Sequence, residues 1–265
     1  AAGAIARQLL ELFDIEIASH VTAIAGVEIS SSMVPFQKVR EIPDDAILRC
    51  VDHDVEGAMV AAIDAAREAG DTVGGTFEVI LHGLPIGLGS YVQWDRKLDG
   101  RLAQAIMSIP AIKAVGIGLG PGVSALPGSQ VHDEIVLPND HPESDGRAFG
   151  VVRPTNNAGG LEGGVTNGED LRVLGYMKPI STLMKPLRSV DLSTMTEAPA
   201  TVERSDVCAV PAAAVVAEAM ISLIVADAFL EKFGGDSINE ITHHLASSTT
   251  LSQSRFNKIS GDRTG

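Results

Sequence analysis

Residues 153–168 read R-P-T-N-N-A-G-G-L-E-G-G-V-T-N-G, and residues 203–220 read E-R-S-D-V-C-A-V-P-A-A-A-V-V-A-E-A-M. The first stretch has no hydrophobic period. Four glycines between positions 159 and 164 strip side chains from the backbone. Such a segment either lets N–H groups approach a ligand or makes a tight crossing between elements. No Gly-Lys-Ser/Thr follows, so it is not a P-loop, and its spacing is not the dinucleotide fingerprint. The second stretch is an Arg-Ser-Asp triplet feeding a long apolar segment, predicted as one helix over 210–233 and stopped by Gly234 and Gly235.

Outward from these stretches, helices and strands interleave. Ile5, Leu9, Leu12 and Phe13 recur at helical spacing near the start. The chain opens inside this helix with neither Met nor N-cap, which creates the expectation of a segment upstream of Ala1. Residues 15–29 read as strand, 35–43 as loop, and 54–69 as a helix capped by Asp54 and stopped by Gly70. Strands follow at 76–81, 112–117 and 171–177, with a helix over 98–109 halted at Pro110. Residues 138–147, P-N-D-H-P-E-S-D-G-R, read as a polar, mobile insertion. A last helix is predicted over 236–245, and 246–265 as a frayed, flexible tail. Several strands follow one another through short turns. The fold class expected is therefore α+β, a mixed sandwich of helices and mainly antiparallel sheet, in one domain spanning 1–265.

Composition narrows the function classes. The 265 residues carry a formal net charge of −14, which argues against nucleic acid and anionic membrane surfaces as partners. An anionic ligand would need cations gathered locally, which screening over roughly 8–10 Å permits. The two cysteines, Cys50 and Cys208, have no metal spacing and are too few for a disulfide framework, so a reduced, cytoplasmic protein is expected. The apolar run 207–226 is broken by Glu218 and reads as a buried helix, at a subunit interface or in the core, rather than a membrane span.

Three constellations bear on chemistry. The glycine-rich loop is the first. The second is Lys178-Pro179-Ile180-Ser181-Thr182 at the end of a predicted strand, where a cation and two hydroxyls suit a phosphate or the edge of a flavin; Lys185 and Arg188 follow closely. An ordinary solvated basic loop is the competing reading. The third is Arg204-Ser205-Asp206. Arg204 offers a planar fork for phosphate or carboxylate. Asp206 either moves a proton or caps the helix that follows. The histidines suggest no site: His20, His53 and His82 read as structural, and His132 has no second ligand at metal spacing.

These motifs occur with A-A-G-A-I-A at 1–6, D-T-V-G-G at 71–75, P-I-G-L-G-S at 85–90, W-D-R-K-L-D at 94–99 and G-S-Q-V-H-D-E-I at 128–135. In this order, with N-N-A-G-G-L-E-G-G, K-P-I-S-T and E-R-S-D-V-C, the chain resembles chorismate synthase over nearly its whole length. The resemblance implies an elimination that converts 5-enolpyruvylshikimate 3-phosphate to chorismate and phosphate. It implies a requirement for reduced FMN without net redox change. It also implies a cytoplasmic, NADP-linked homotetramer. Carried over by position, it implies that Pro110, Ala111, Gly163, Lys178, Pro179, Ile180, Ser181, Thr182 and Arg204 bind the flavin, with Arg204 also near the substrate. Asp206 falls at the acid implied to help deprotonate the flavin. Gly163, Lys178, Thr182 and Arg204 are accordingly expected around one cavity.

Two departures stand beside the resemblance. The family's Gly-Glu-Ser-His-Gly motif, its Arg-Pro-Gly-His-Ala-Asp segment and the histidines and arginines they carry are not among the 265 residues. The chain alone is therefore expected to be inactive; a non-catalytic flavin-binding or oligomerisation module is the alternative. Gly116 and Leu119 stand where the family usually has Glu and Asp, which bears on the shape of the loop after that strand.

Overall fold

The computed structural model describes residues 1–31, 33–137 and 151–261. The polar insertion expected at 138–147 lies outside the described residues, as do the last four of the expected tail, 262–265. Helix α1 (Ala2–Glu11) leads into β1 (Glu16–Ile24) and β2 (Val27–Glu28), followed by α2 (Phe36–Arg40), α3 (His53–Ala69) and β3 (Gly75–His82). Next come α4 (Leu98–Met107), β4 (Ile112–Ile117), a short α5 (Gly128–Val131), β5 (Leu161–Glu162), β6 (Val165–Thr166) and β7 (Leu171–Met177). The hairpin β8 (Arg188–Asp191) and β9 (Thr196–Pro199) precedes α6 (Val210–Phe233) and α7 (Ile238–Gly261).

The main sheet has five strands in the order β2-β1-β3-β7-β4, every pair antiparallel. Its two faces follow from the period of two along each strand. Phe77, Val79 and Leu81 of β3 and Leu171 and Val173 of β7 enter the main core beneath α1, α4 and α6. Glu78 and Ile80 alternate to the other face, where Ala18, Val34, Phe36, Val39 and Ile80 form a smaller cluster. The α+β sandwich expected from the sequence is the observed class.

Helix α6 is the centre of the helical layer. It is long and apolar enough to cross a membrane by length and composition, with mean hydropathy 2.0. Ile221, Val225 and Phe229 are fully buried against the sheet and neighbouring helices. Burying each such side chain contributes roughly 1.5–3 kcal/mol, which makes it a core helix. Glu218 is its buried charge. Its carboxylate accepts from Ser19 Oγ at 2.6 Å and from Arg7 at 3.1 Å, with Arg49 at 3.4 Å, so it ties α6 to α1 and β1.

Several local expectations needed correction. Residues 15–29 are two strands, because Ala25 and Gly26 both take positive φ (52° and 82°) and reverse the chain. Residues 36–40, expected as loop, are helix α2, because Phe36 and Val39 share a face that packs on Ala18 and Ile80. The cap of α3 is Asp52, whose carboxylate accepts from Asp54 N and Val55 N; Asp54 lies inside the first turn and spends its own amide on that cap. Gly70 does end this helix, in the left-handed conformation at φ 71°. The β8–β9 hairpin lacks a clear alternation of apolar residues and was not anticipated. Helix α7 runs to Gly261, well beyond residue 245.

Candidate functional site

Three of the expected segments meet at one pole of the sandwich, where β3 begins, β7 ends and α6 starts. Lys178 N donates to Ala111 O at 2.9 Å, which joins residues 110–111 to the segment 178–182. Ser205 Oγ donates to Thr182 O at 3.1 Å, which joins that segment to Arg204 and Asp206. Thr72 Oγ1 donates to Ile180 O at 2.6 Å, and Val73 N donates to Val207 O at 2.9 Å. Gly74 lies so close to the end of β7 that a Cβ there would stand 2.3 Å from Met177 O. Ala111 itself takes φ 68°, a conformation that costs a non-glycine residue roughly 1–2 kcal/mol.

The electrostatics of this pole differ from those of the rest of the acidic chain. Lys178, Lys185 and Arg204 are exposed, and among the described residues none of them pairs with a carboxylate. Lys178 Nζ donates to Pro179 O, at 3.1 Å. Arg188 is different, since its guanidinium pairs with Glu197 across the β8–β9 hairpin. Asp206 is exposed and caps nothing: the N-cap position of α6 is Ala209, and Pro211 occupies the first turn. Three uncommitted cations, the exposed Ser181 and the half-buried Thr182, all on segments fixed through backbone bonds, match what an anionic phosphate-bearing cofactor requires.

Gly163 is elsewhere. With Gly164 it forms the two-residue turn between β5 and β6, both at positive φ (63° and 93°). That hairpin sits beside the opposite end of β7: Gly160 packs on Asp170 O, and Gly164 packs on the Lys97 side chain at the start of α4. The seven residues of β7 lie between Asp170 and Lys178, which places them about 26 Å apart along the strand. The single cavity expected around Gly163, Lys178, Thr182 and Arg204 is therefore not formed within one copy of the chain. Gly163 itself is exposed, and a Cβ there would meet nothing within 4 Å, so its side of the turn is open to an incoming partner, while Gly164 is buried.

The rest of the glycine-rich loop is a structural crossing. Gly118 and Gly159 pass backbone to backbone, and a Cβ on Gly118 would stand 2.0 Å from Asn157 O. Asp133 holds the loop by accepting from Thr155 Oγ1, Asn157 N and Ala158 N. The turn after β4 folds onto Gly116, where a Cβ would lie 2.9 Å from Gly120 Cα, so the longer acid usual in the family would displace that turn.

One polar cluster escaped sequence reading. On the outer face of the sheet, Glu78 receives two bonds from Arg172, at 2.9 and 2.7 Å, and one from His20 Nε2 at 2.9 Å; all three side chains are buried. Burial pushes Glu78 up, but the His20 bond and the Arg172 guanidinium outweigh it and hold the carboxyl below its ordinary value. Each residue lies in a strand from a different part of the chain, and only β1–β3–β7 pairing aligns them. Beside the cluster is a cleft of about 340 Å³ lined by Thr22, Thr76, Glu78, Leu119, Leu174 and Tyr176, among others, and by none of the expected site residues. Burial pushes both free thiols, Cys50 and Cys208, up, so neither is a thiolate at neutral pH.

Sheet, helical layer and cationic pole together define an α+β protein with an exposed, cation-bearing ledge at one end of its sheet. Comparison with known proteins supplies the family. The chorismate synthase family model matches residues 1–230, and the chain belongs to that family. It is 54% identical to chorismate synthase of Geobacter sulfurreducens over 241 residues, which is 91% of this chain and 61% of that protein. It is 53% identical to chorismate synthase of Moorella thermoacetica over 246 residues, 93% of this chain and 62% of that protein. A crystal structure of chorismate synthase superposes with a TM-score of 0.78 at 38% identity, covering 96% of this chain and 68% of the other. The chain thus spans about 61–62% of the length of these two curated relatives.

Proposed function

We propose that the protein containing these residues converts 5-enolpyruvylshikimate 3-phosphate to chorismate and phosphate, and that this chain supplies the ledge that holds reduced FMN. In the elimination one C–O bond to phosphate and one ring C–H bond break, a second ring double bond forms, and no net oxidation occurs. When bound, the flavin supplies electron density that helps phosphate leave. The chain's residues hold the reactants. Lys178 and the hydroxyls of Ser181 and Thr182 grip the flavin's phosphate and edge. Pro110, Ala111, Pro179 and Ile180 offer backbone to the ring. Arg204 would offer its fork to the flavin and the anionic substrate, and Asp206 would serve as the acceptor for the proton at flavin N5. The uncommitted state of Lys178, Lys185 and Arg204 in a chain of net charge −14 is the observation that carries the reading.

Gly163 fits the same reading only from a second copy, its open turn at one pole reaching the cationic ledge of a neighbour in a homotetramer. The 265 residues alone do not turn over substrate, because the family's histidine and arginine motifs are not among them. The test is chorismate formation under anaerobic conditions with reduced FMN, by the full-length protein and by the 265-residue chain. Turnover by the longer protein alone is expected. A full-length protein that neither binds FMN nor forms chorismate would refute the assignment.

A further inference from the structure

The linker from α3 to β3, residues 70–74, touches every segment that carries a free cation at the ledge. Gly70 O accepts from Lys185 N at 3.0 Å. Thr72 Oγ1 donates to Ile180 O at 2.6 Å, and Thr72 is 8% exposed. Val73 N donates to Val207 O at 2.9 Å, just beyond Arg204 and Asp206. Gly74 packs its bare Cα against Met177 O, Lys178 and Pro179, and its own carbonyl accepts from Ala25 N at 3.0 Å, which anchors the linker to the sheet. Nothing in the linker is cationic, and none of its side chains is a flavin or substrate contact in the reading above.

We infer that residues 70–74 are the positioning element of the ledge, and that the Thr72 hydroxyl sets the distance between the Lys178–Lys185 segment and Arg204. The inference rests on the flavin reading. The physical reason is one of register. The 178–187 segment leaves the sheet at Met177 and has no strand partner of its own before β8, so its conformation depends on the bonds it makes sideways. The bonds to Gly70, Thr72 and Ser205 hold it at three points, Lys185, Ile180 and Thr182, within six residues. Of these, Thr72 is the buried side-chain donor, and its loss leaves the half-buried Ile180 carbonyl without a protein partner. Displacement of a cation by about 1 Å is enough to lose a bidentate or phosphate contact.

The test uses the full-length protein with Thr72→Val, which keeps the shape and removes the hydroxyl, and Thr72→Ser, which keeps the hydroxyl. FMN affinity is read by fluorescence quenching. Amide hydrogen exchange is read without flavin, at Lys185 and at Val73, whose N–H groups report the two neighbouring bonds. Thr72→Val is expected to weaken FMN binding about tenfold and to speed exchange at Lys185, while the amides of β3 and β7 keep their protection. Thr72→Ser is expected to restore both. Wild-type affinity in Thr72→Val, or equal losses in both variants, overturns the inference. If Thr72→Val does not fold, Thr72→Ala decides: it removes the same hydroxyl with less bulk and is expected to speed Lys185 exchange and weaken FMN about tenfold, and no change in either would overturn the inference. Failure of the wild-type protein to bind FMN would instead sink the flavin reading, whereas the exchange measurements stand without it.

Discussion

Glu78 is 2% exposed in the middle of the sheet, with both oxygens committed to His20 and Arg172. Its carboxyl is held below the ordinary value of 4.5 in the folded chain. The stabilisation is therefore complete above the unfolded-chain value and is lost as pH falls through the lower, folded one. Glu78→Gln keeps the shape but strands the Arg172 guanidinium in the sheet, so it should cost about 3–5 kcal/mol at neutral pH. The gap to wild type should narrow as acid protonates Glu78 in both states, and denaturant unfolding at neutral and acid pH measures it. Gly118 is limited by space instead. At φ 60° and 2.0 Å from Asn157 O, any Cβ forces the two crossing loops apart. Gly118→Ala should destabilise the protein by more than about 2 kcal/mol, visible as a fall in Tm.

Elements take their boundaries from local chemistry and their places from long-range contacts. Helix α3 starts where the Asp52 carboxylate accepts from Asp54 N and Val55 N, and it ends at left-handed Gly70. Asp52→Ala should therefore cost about 1 kcal/mol and raise amide exchange in the first turn only. Helix α6 carries almost no amphipathic signal, since small and branched apolar residues surround it on all sides. Its orientation comes from Glu218, which faces Ser19, Arg7 and Arg49, and from Phe229, which packs on Phe13 with ring centroids 4.8 Å apart. The ledge is likewise a property of elements. Pro110, Lys178 and Arg204 are far apart in sequence and meet because β4 begins, β7 ends and the approach to α6 passes at the same end of the sheet.

Across the whole molecule, the chain has two poles with different character. One gathers the uncommitted cations; the other presents the open Gly163 turn. If flavin sites form between copies of the full-length protein, Gly163→Asn and Arg204→Ala should each weaken FMN binding. Asn tolerates the left-handed conformation, so the first change leaves the turn intact. Oligomers reassembled from a mixture of the two variants should recover a fraction of native-affinity sites, because some pairings bring two unaltered halves together. Titration of the mixed species with FMN checks this, and recovery of no such sites would place both residues at one site within a single copy or remove Gly163 from it.

The sequence by itself determined what depends on near neighbours: helices α1, α3, α4 and α6, the central strands, the left-handed stop at Gly70, and the candidate residues of the ledge, whose types and order carry the family's motifs. Even a short element such as α2 was missed, since a five-residue helix has too few turns to declare a period. Only the tertiary structure decided which candidates meet. It joined Ala111 to Lys178 through a backbone bond that leaves no mark in residue identity, tied Thr182 to the distant Ser205 hydroxyl, and carried Gly163 to the far end of β7. It also revealed Thr72 and the His20–Glu78–Arg172 cluster, whose bonds span 108, 58 and 94 residues. Such pairings are set by strand register, and register is fixed by burial of one whole face of the sheet rather than by any single residue.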